Sequence, residues 1–302
     1  MFDEPANDTR AAATVRATVR LQGVGLHSGE TADLVIEPAA PGAGISFIRS
    51  DLDGPVAART VPADPHLVTK TQLGTVLTNG YGASVSTVEH LMAAFAMLGI
   101  TEAKVSVSGP EIPILDGSAA CFVDAIEAVG VLVFPSTVEP VQPSDTVTVT
   151  LGDAFLTAEP LEDGCGADLV LDVTIAFDDP AIGEQRILIE GDRETVLREV
   201  AAARTFTFLK DVEYLRTIGL ARGGSLDNAV VIDEGRVLNE GGLRMEREFV
   251  RHKALDLIGD LYLMGVPLGC KITAYKPGHT INTMLAQALT PVAVEERIAA
   301  VG

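Results

Sequence analysis

The chain of 302 residues is 47% hydrophobic and 21% charged, the balance of a folded globular protein long enough for two modest domains. Its formal net charge of −20 argues against nucleic acid or an anionic lipid surface as a partner, since both need clustered Lys and Arg. One local basic pocket for a nucleotide-linked small molecule stays possible. No run approaches the roughly 18 apolar residues that span a bilayer. The acidic start Met1-Phe2-Asp3-Glu4-Pro5 lacks the basic and apolar regions of a signal peptide. A cytoplasmic protein without stable membrane insertion is expected.

The first ten residues are polar and expected to fray. Alternation over 14–19 and 32–36 predicts strands, with the glycine-rich turn Gly23-Val24-Gly25-Leu26-His27-Ser28-Gly29 between them. A short apolar run, 45–48, follows a further turn. Ser86-Thr87-Val88-Glu89 matches a capping box, and Gly99 supplies a stop. Between them Val88, Leu91, Met92, Phe95 and Leu98 recur at helical spacing. A strand over 103–107 leads to Asp116-Gly117-Ser118, read as the cap of a second helix ending at Gly130. Residues 135–145 hold three prolines and no periodic pattern and read as a linker.

Beyond the linker the cycle repeats. Strands run to about residue 189, then a helix over about 192–203, then an irregular stretch to 232. A long helix over about 247–264 is stopped by Gly265 and Pro267. A strand over 271–275, the turn Lys276-Pro277-Gly278-His279 and a last helix complete the chain. Strands followed by helix in each half predict two α+β domains, residues 1–134 and 146–302, joined by the linker 135–145.

Cys121, Cys165 and Cys270 are widely spaced, odd in number and form no Cys-x-x-Cys, which argues against a disulfide framework or a thiolate metal site. Any metal must then be held by histidine and carboxylate, and the chain has only five histidines. His252 and Asp256 are four apart, so they share a helix face, and Asp260 extends the stripe by a turn. The rest of that helix is apolar on nearly every side, and buried ionisable groups need partners. A divalent metal satisfies them, with zinc suited to this ligand set; a His–Asp ion pair facing solvent is the alternative. Glu89 and His90 point about 100° apart at the start of a helix, so a base and a ligand can reach one cleft, although Glu89 also reads as a cap partner. His279 sits in a turn, as a general acid or as a plain surface histidine. Thr205 can donate to an oxyanion or be a turn residue. The glycine-rich stretch 219–225 is neither a Walker loop nor GxGxxG and reads as a bend.

Taken in order, these segments resemble one family, the bacterial UDP-3-O-acyl-N-acetylglucosamine deacetylases (LpxC). Gly23 to Gly29 is similar to its opening motif and Ser86-Thr87-Val88-Glu89-His90-Leu91 to its first metal motif. Pro110-Glu111-Ile112-Pro113-Ile114 with Asp116-Gly117-Ser118-Ala119 resembles its first-domain signature. Arg236-Val237-Leu238-Asn239-Glu240 and Phe249-Val250-Arg251-His252-Lys253-Ala254-Leu255-Asp256 resemble the second metal motif, and Ala274-Tyr275-Lys276-Pro277-Gly278-His279 the last. The resemblance implies two similar α+β domains, each a sheet with helices on one face, the helices sandwiched between the sheets.

It also implies Zn2+ held by His90, His252 and Asp256, a cofactor that would lower the pKa of water for attack on the acetamide of an acylated UDP-amino-sugar in lipid A biosynthesis. Glu89 would be the general base, His279 the general acid and Asp260 its tuning partner, with Thr205 at the oxyanion. Lys253 and Phe206 would meet the substrate, Phe177 and Asp211 its nucleotide side. An insert over about 206–232 would line a passage for the fatty chain with Tyr214, Leu215, Ile218 and Leu220. Relatives imply a monomer. Two other readings stay open: a zinc deacetylase of another N-acetylated amino sugar, and a non-catalytic relative that binds acylated sugar nucleotides. Cys121 stands where the family usually has proline, residues 68–74 depart from its wording, and the chain ends soon after Leu289.

Overall fold

The structure, a computed structural model, describes residues 11–161 and 168–301; the expectations for residues 1–10 and for Cys165 lie outside them. Two five-stranded sheets share one strand order. In the N-terminal half it is Val19–Val24, Thr31–Pro38, Ala103–Val107, Ile45–Arg49 and Thr60–Pro62; in the C-terminal half it is Val147–Leu151, Ala154–Pro160, Cys270–Tyr275, Leu169–Ala176 and Glu184–Gly191. All neighbours are antiparallel except one pair in each sheet, Ile45–Arg49 with Ala103–Val107 and Leu169–Ala176 with Cys270–Tyr275. A parallel pair cannot be closed by a hairpin and needs a crossover.

Those two crossovers carry the helices that matter here. The first holds α1 (Val56–Arg59) and α2 (Glu89–Leu98), and α3 (Ala120–Val129) comes after it. The second holds α4 (Arg193–Val200), α5 (Leu209–Thr217) and α6 (Glu248–Leu261); α7 (His279–Val301) follows. The alternation of Thr31–Pro38 turns Ala32, Leu34 and Ile36 inward, and Ile187 and Ile189 do the same in the other sheet. Between the sheets lie α2 and α6, buried on nearly every side and packed on each other. Phe95, Leu91 and Phe249 are fully buried there, each stabilising the core by about 1.5–3 kcal/mol. The fold is therefore α+β, two like sheets enclosing helices. No helix among the described residues is long and apolar enough to cross a membrane.

Several local expectations change. The alternating run 14–19 splits into Ala11–Val15, which pairs with Val131–Thr137, and Val19–Val24, because the exposed residues 16–18 redirect the chain into another sheet. Residues 135–137, at the start of the stretch read as a linker, continue that pairing strand. Pro135, with no N–H to donate, falls where the register shifts between Ala11 and Ala13. The capping box does not form: α2 begins at Glu89 without a side-chain cap, and the Ser86 hydroxyl donates instead to the Pro110 carbonyl (3.0 Å). Nor does Asp116-Gly117-Ser118 start α3 directly; it forms the turn ahead of it, with the Ser118 hydroxyl accepting from Ala120 N–H (3.2 Å). The stretch to residue 232 is not irregular. Phe206–Phe208 pairs in parallel with Val230–Asp233, which turns back on Arg236–Val237, and α5 lies in the crossover.

Candidate active site

The start of α2 is held in place from its left. Thr87 adopts a left-handed backbone (φ 58°) that a β-branched residue takes only when its surroundings enforce it. The enforcing group is Glu111, buried and accepting from the Thr87 hydroxyl (2.9 Å), His27 N–H (2.9 Å) and Ser28 N–H (2.8 Å). The turn 23–29 is thereby tied to the residue that launches Glu89 and His90 into the core. On the other side α6 comes unusually near. A Cβ on Gly259 would lie 2.0 Å from the Glu89 carbonyl oxygen, so only glycine lets the two helices meet at this depth.

Their meeting brings together His90 of α2 and His252 and Asp256 of α6. One ligand atom from each lies within 4.8 Å of the others, and all three residues are buried. Asp256 Oδ1 is 3.5 Å from His90 Nε2 and 3.2 Å from His252 Nε2. The solvent-facing ion pair is thus excluded, since Asp256 is only 2% exposed. The Ala203 carbonyl accepts from His252 Nδ1 (3.1 Å), which fixes the tautomer and leaves Nε2 with a lone pair for a metal. Burial pushes the His252 imidazole down to about 3, so it is neutral, as a ligand must be. Burial opposes the charge of Asp256, but His252 and Lys253 beside it hold its carboxyl well below the usual range. His90 Nδ1 and Asp256 Oδ1 are buried without a hydrogen-bond partner, and such orphans are rare in a finished core. Two imidazoles and a carboxylate, buried with one ligand atom of each within 4.8 Å of the others, fit a divalent cation of zinc type.

A second pair stands beside the first. Glu89 Oε1 lies 3.9 Å from His279 Nε2, and Glu89 Oε2 accepts from Thr75 N–H (3.0 Å). Burial raises the Glu89 carboxyl above its ordinary value, which makes it a better proton acceptor near neutrality. His279 Nδ1 donates to Asp260 Oδ2 (2.9 Å). Burial alone would depress this imidazole, yet the Asp260 charge and hydrogen bond outweigh it and raise the group to about 9. A carboxylate pushed up and an imidazole pushed up thus face each other, the directions that acid–base chemistry near neutrality uses.

Glu89, His90, His252, Asp256 and His279 all open on one cavity of about 640 Å³, whose wall also includes Thr205, Phe206 and Lys253. Lys253 Nζ donates to Asp256 Oδ2 (2.9 Å) and lies 5.6 Å from the Phe206 ring centroid. Thr205 is pinned by its backbone, its N–H donating to the Gly117 carbonyl (2.8 Å). Phe177 stands behind this wall, packed edge-on against Phe206 at 5.6 Å between centroids, and Asp211 is exposed in the first turn of α5. Leu209, Val212, Leu215 and Leu226 make the cavity apolar away from the metal group. Tyr214 and Ile218 face outward. The glycine-rich stretch 219–225 seats Gly223 N–H on the Leu26 carbonyl (3.1 Å), closing the cavity against the turn 23–29.

Five residues at the site are not singled out by the sequence. Glu111 and Thr75 gave no local signal, because their partners are far away in the chain. The buried Arg204–Glu248 pair (2.8 Å) sets the backbone on either side of Thr205 and Ala203; only a charge inside an apolar stretch hinted at it. Gly259 carried a signal, since glycine inside a helix costs about 1 kcal/mol and invites a packing reason.

Comparison with known proteins gives the family. The profile of the LpxC family, UDP-3-O-acyl N-acetylglycosamine deacetylase, matches residues 12–291. A UDP-3-O-acyl-N-acetylglucosamine deacetylase of Shewanella sediminis is 43% identical over 278 residues, 91% of this chain and 88% of the relative. Proteins of the same name from Shewanella violacea and Haemophilus influenzae are 42% identical over the same shares of each chain.

Proposed function

The chain belongs to the LpxC family of UDP-3-O-acyl N-acetylglycosamine deacetylases, and from that premise we propose that it is a zinc-dependent amidase of an acylated UDP-N-acetylglucosamine in lipid A biosynthesis. The observation that carries this reading is the convergence of His90, His252 and Asp256 beside the Glu89–His279 pair in one cavity. Zinc bound by those three residues would supply Lewis acidity for the acetamide carbonyl and make water more acidic.

The chain's own groups then account for the proton movements. Glu89 takes a proton from the attacking water as the new C–O bond forms. The Thr205 hydroxyl donates to the carbonyl oxygen as charge gathers there. His279, protonated and held by Asp260, gives its proton to the nitrogen as the C–N bond breaks, leaving acetate and a free amine. Lys253 offers a positive charge to the sugar-nucleotide part, with Phe206 as an adjoining face. The apolar wall of α5 residues Leu209, Val212 and Leu215 suits a fatty chain.

Acetate release from the acylated UDP-sugar, abolished by a chelator and restored by zinc, tests the reaction. Glu89→Ala and His279→Ala should each lower kcat by about 10²–10⁴ while zinc stays bound. Near-normal turnover in either variant refutes the assigned roles. Equal activity on sugars lacking UDP or the acyl chain moves the assignment to a general amino-sugar deacetylase.

A further inference from the structure

Thr75 lies just after the bend at Leu73 and Gly74 and does not line the cavity. It is nevertheless fully buried between the two halves. Its N–H donates to Glu89 Oε2 (3.0 Å), its hydroxyl donates to Asp260 Oδ1 (2.5 Å), and the Thr75 hydroxyl oxygen lies 3.4 Å from His279 Nδ1. One residue thus touches the carboxylate of the base and the carboxylate behind the acid.

The division of hydrogen bonds on Asp260 gives this contact its weight. Oδ2 already takes both His279 Nδ1–H and the Asn282 amide, each at 2.9 Å. With both donors on one oxygen, the carboxylate can pivot about that oxygen and lose its line to the imidazole. The Thr75 hydroxyl engages the other oxygen and sets the plane. Asp260 is 0% exposed, so no solvent can replace that donor, and an unpaired buried carboxylate oxygen is costly. Gly74 helps the approach, since a Cβ there would crowd Glu89 Oε1 at 3.1 Å.

The geometry points to Thr75 as a positioning residue that locks Asp260 against His279 through its hydroxyl and orients Glu89 through its backbone, so that one buried side chain from the N-terminal half aligns both proton-transfer groups. The inference rests on the reading of Glu89 as base and His279 as acid. Thr75 itself meets no reacting atom.

Thr75→Val keeps the N–H to Glu89 and the side-chain shape but removes the donor to Asp260; Thr75→Ser keeps both. The first readout is the His279 imidazole titration followed by NMR in the metal-free protein, where Asp260, Glu89 and Asp256 are the charged groups that act on it. The valine variant should titrate about one unit or more below wild type, because the pivoting carboxylate holds the imidazolium less well; the serine variant should titrate as wild type. In the zinc-loaded enzyme, valine should lower kcat about tenfold to a hundredfold with KM unchanged, and serine should restore it. An unshifted titration in the valine variant, or equal loss in the serine variant, overturns the proposal. Should the valine variant fail to fold, Thr75→Cys, with its weak S–H donor, replaces it with the same expected direction. If wild-type protein released no acetate, the deacetylase reading would fall, whereas the metal-free titration would still decide the role of Thr75.

Discussion

Replacing Gly259 with alanine adds one methyl group at the closest point between α2 and α6. That methyl would sit 2.0 Å from the Glu89 carbonyl oxygen and 2.8 Å from its carbon, whereas real Cβ contacts essentially never fall under 3.0 Å. Relief therefore requires about 1 Å of separation, and the obstacle is helix backbone, which cannot swing aside as a side-chain tip can. Since His90 rides on α2 and His252 and Asp256 on α6, the separation opens the proposed ligand set. Metal–ligand distances tolerate only about 0.2 Å, so a shift near 1 Å is several times too large.

Two effects on stability oppose each other. Alanine gains about 0.5–1 kcal/mol over glycine inside a helix, and overpacking costs about 1–3 kcal/mol; the second should win. Zinc affinity, measured by chelator competition, should fall at least about tenfold, and kcat/KM about a hundredfold. Gly80→Ala serves as control, because nothing lies within 4 Å of a Cβ there. If Gly259→Ala bound zinc and turned over like wild type, the contact would not be what places His90.

Three further outcomes are expected. Arg204→Ala strands the buried Glu248 charge and should cost about 3–5 kcal/mol in denaturant unfolding. Zinc affinity should weaken as well, because the Ala203 carbonyl that orients His252 lies next in the chain. Stripping zinc should lower Tm and re-addition restore it, and Asp256→Ala should remove that response while leaving a folded protein; an unchanged zinc response in that variant would contradict the ligand assignment. In the metal-free protein His279 is raised from 6.5 to about 9, so its protonation favours the folded state. Its contribution, about 3 kcal/mol, is full below pH 6.5 and disappears as pH rises through about 9. Urea unfolding of wild type and His279→Ala across that window should converge at the alkaline end.

Much of this protein is written in short-range pattern. The apolar spacing of Leu91, Met92 and Phe95 marks a buried helix, and the structure places α2 there with Gly99 as its left-handed stop. The stripe His252, Asp256 and Asp260 depends only on the 3.6-residue repeat, and α6 carries all three on its buried side. Expectations failed where a local rule met a distant competitor. Glu89 looked like a cap partner, but its carboxylate is taken by Thr75 N–H, and Thr87 gave up a helical start to satisfy Glu111. The strand Phe206–Phe208 is too short to announce itself without the parallel partner that defines it.

By itself the sequence determined the α+β character, the buried helices and which residue types were available to hold a cation, because these follow from periodicity and composition within a few residues. Only the tertiary structure decided that His90 meets the His252–Asp256 pair, that Thr75 reaches Asp260 across 185 positions, and that Gly259 sets the gap between α2 and α6. Those contacts arise from packing two separately wound sheets against shared helices, and a linear pattern holds no record of how far apart two helix axes come to rest.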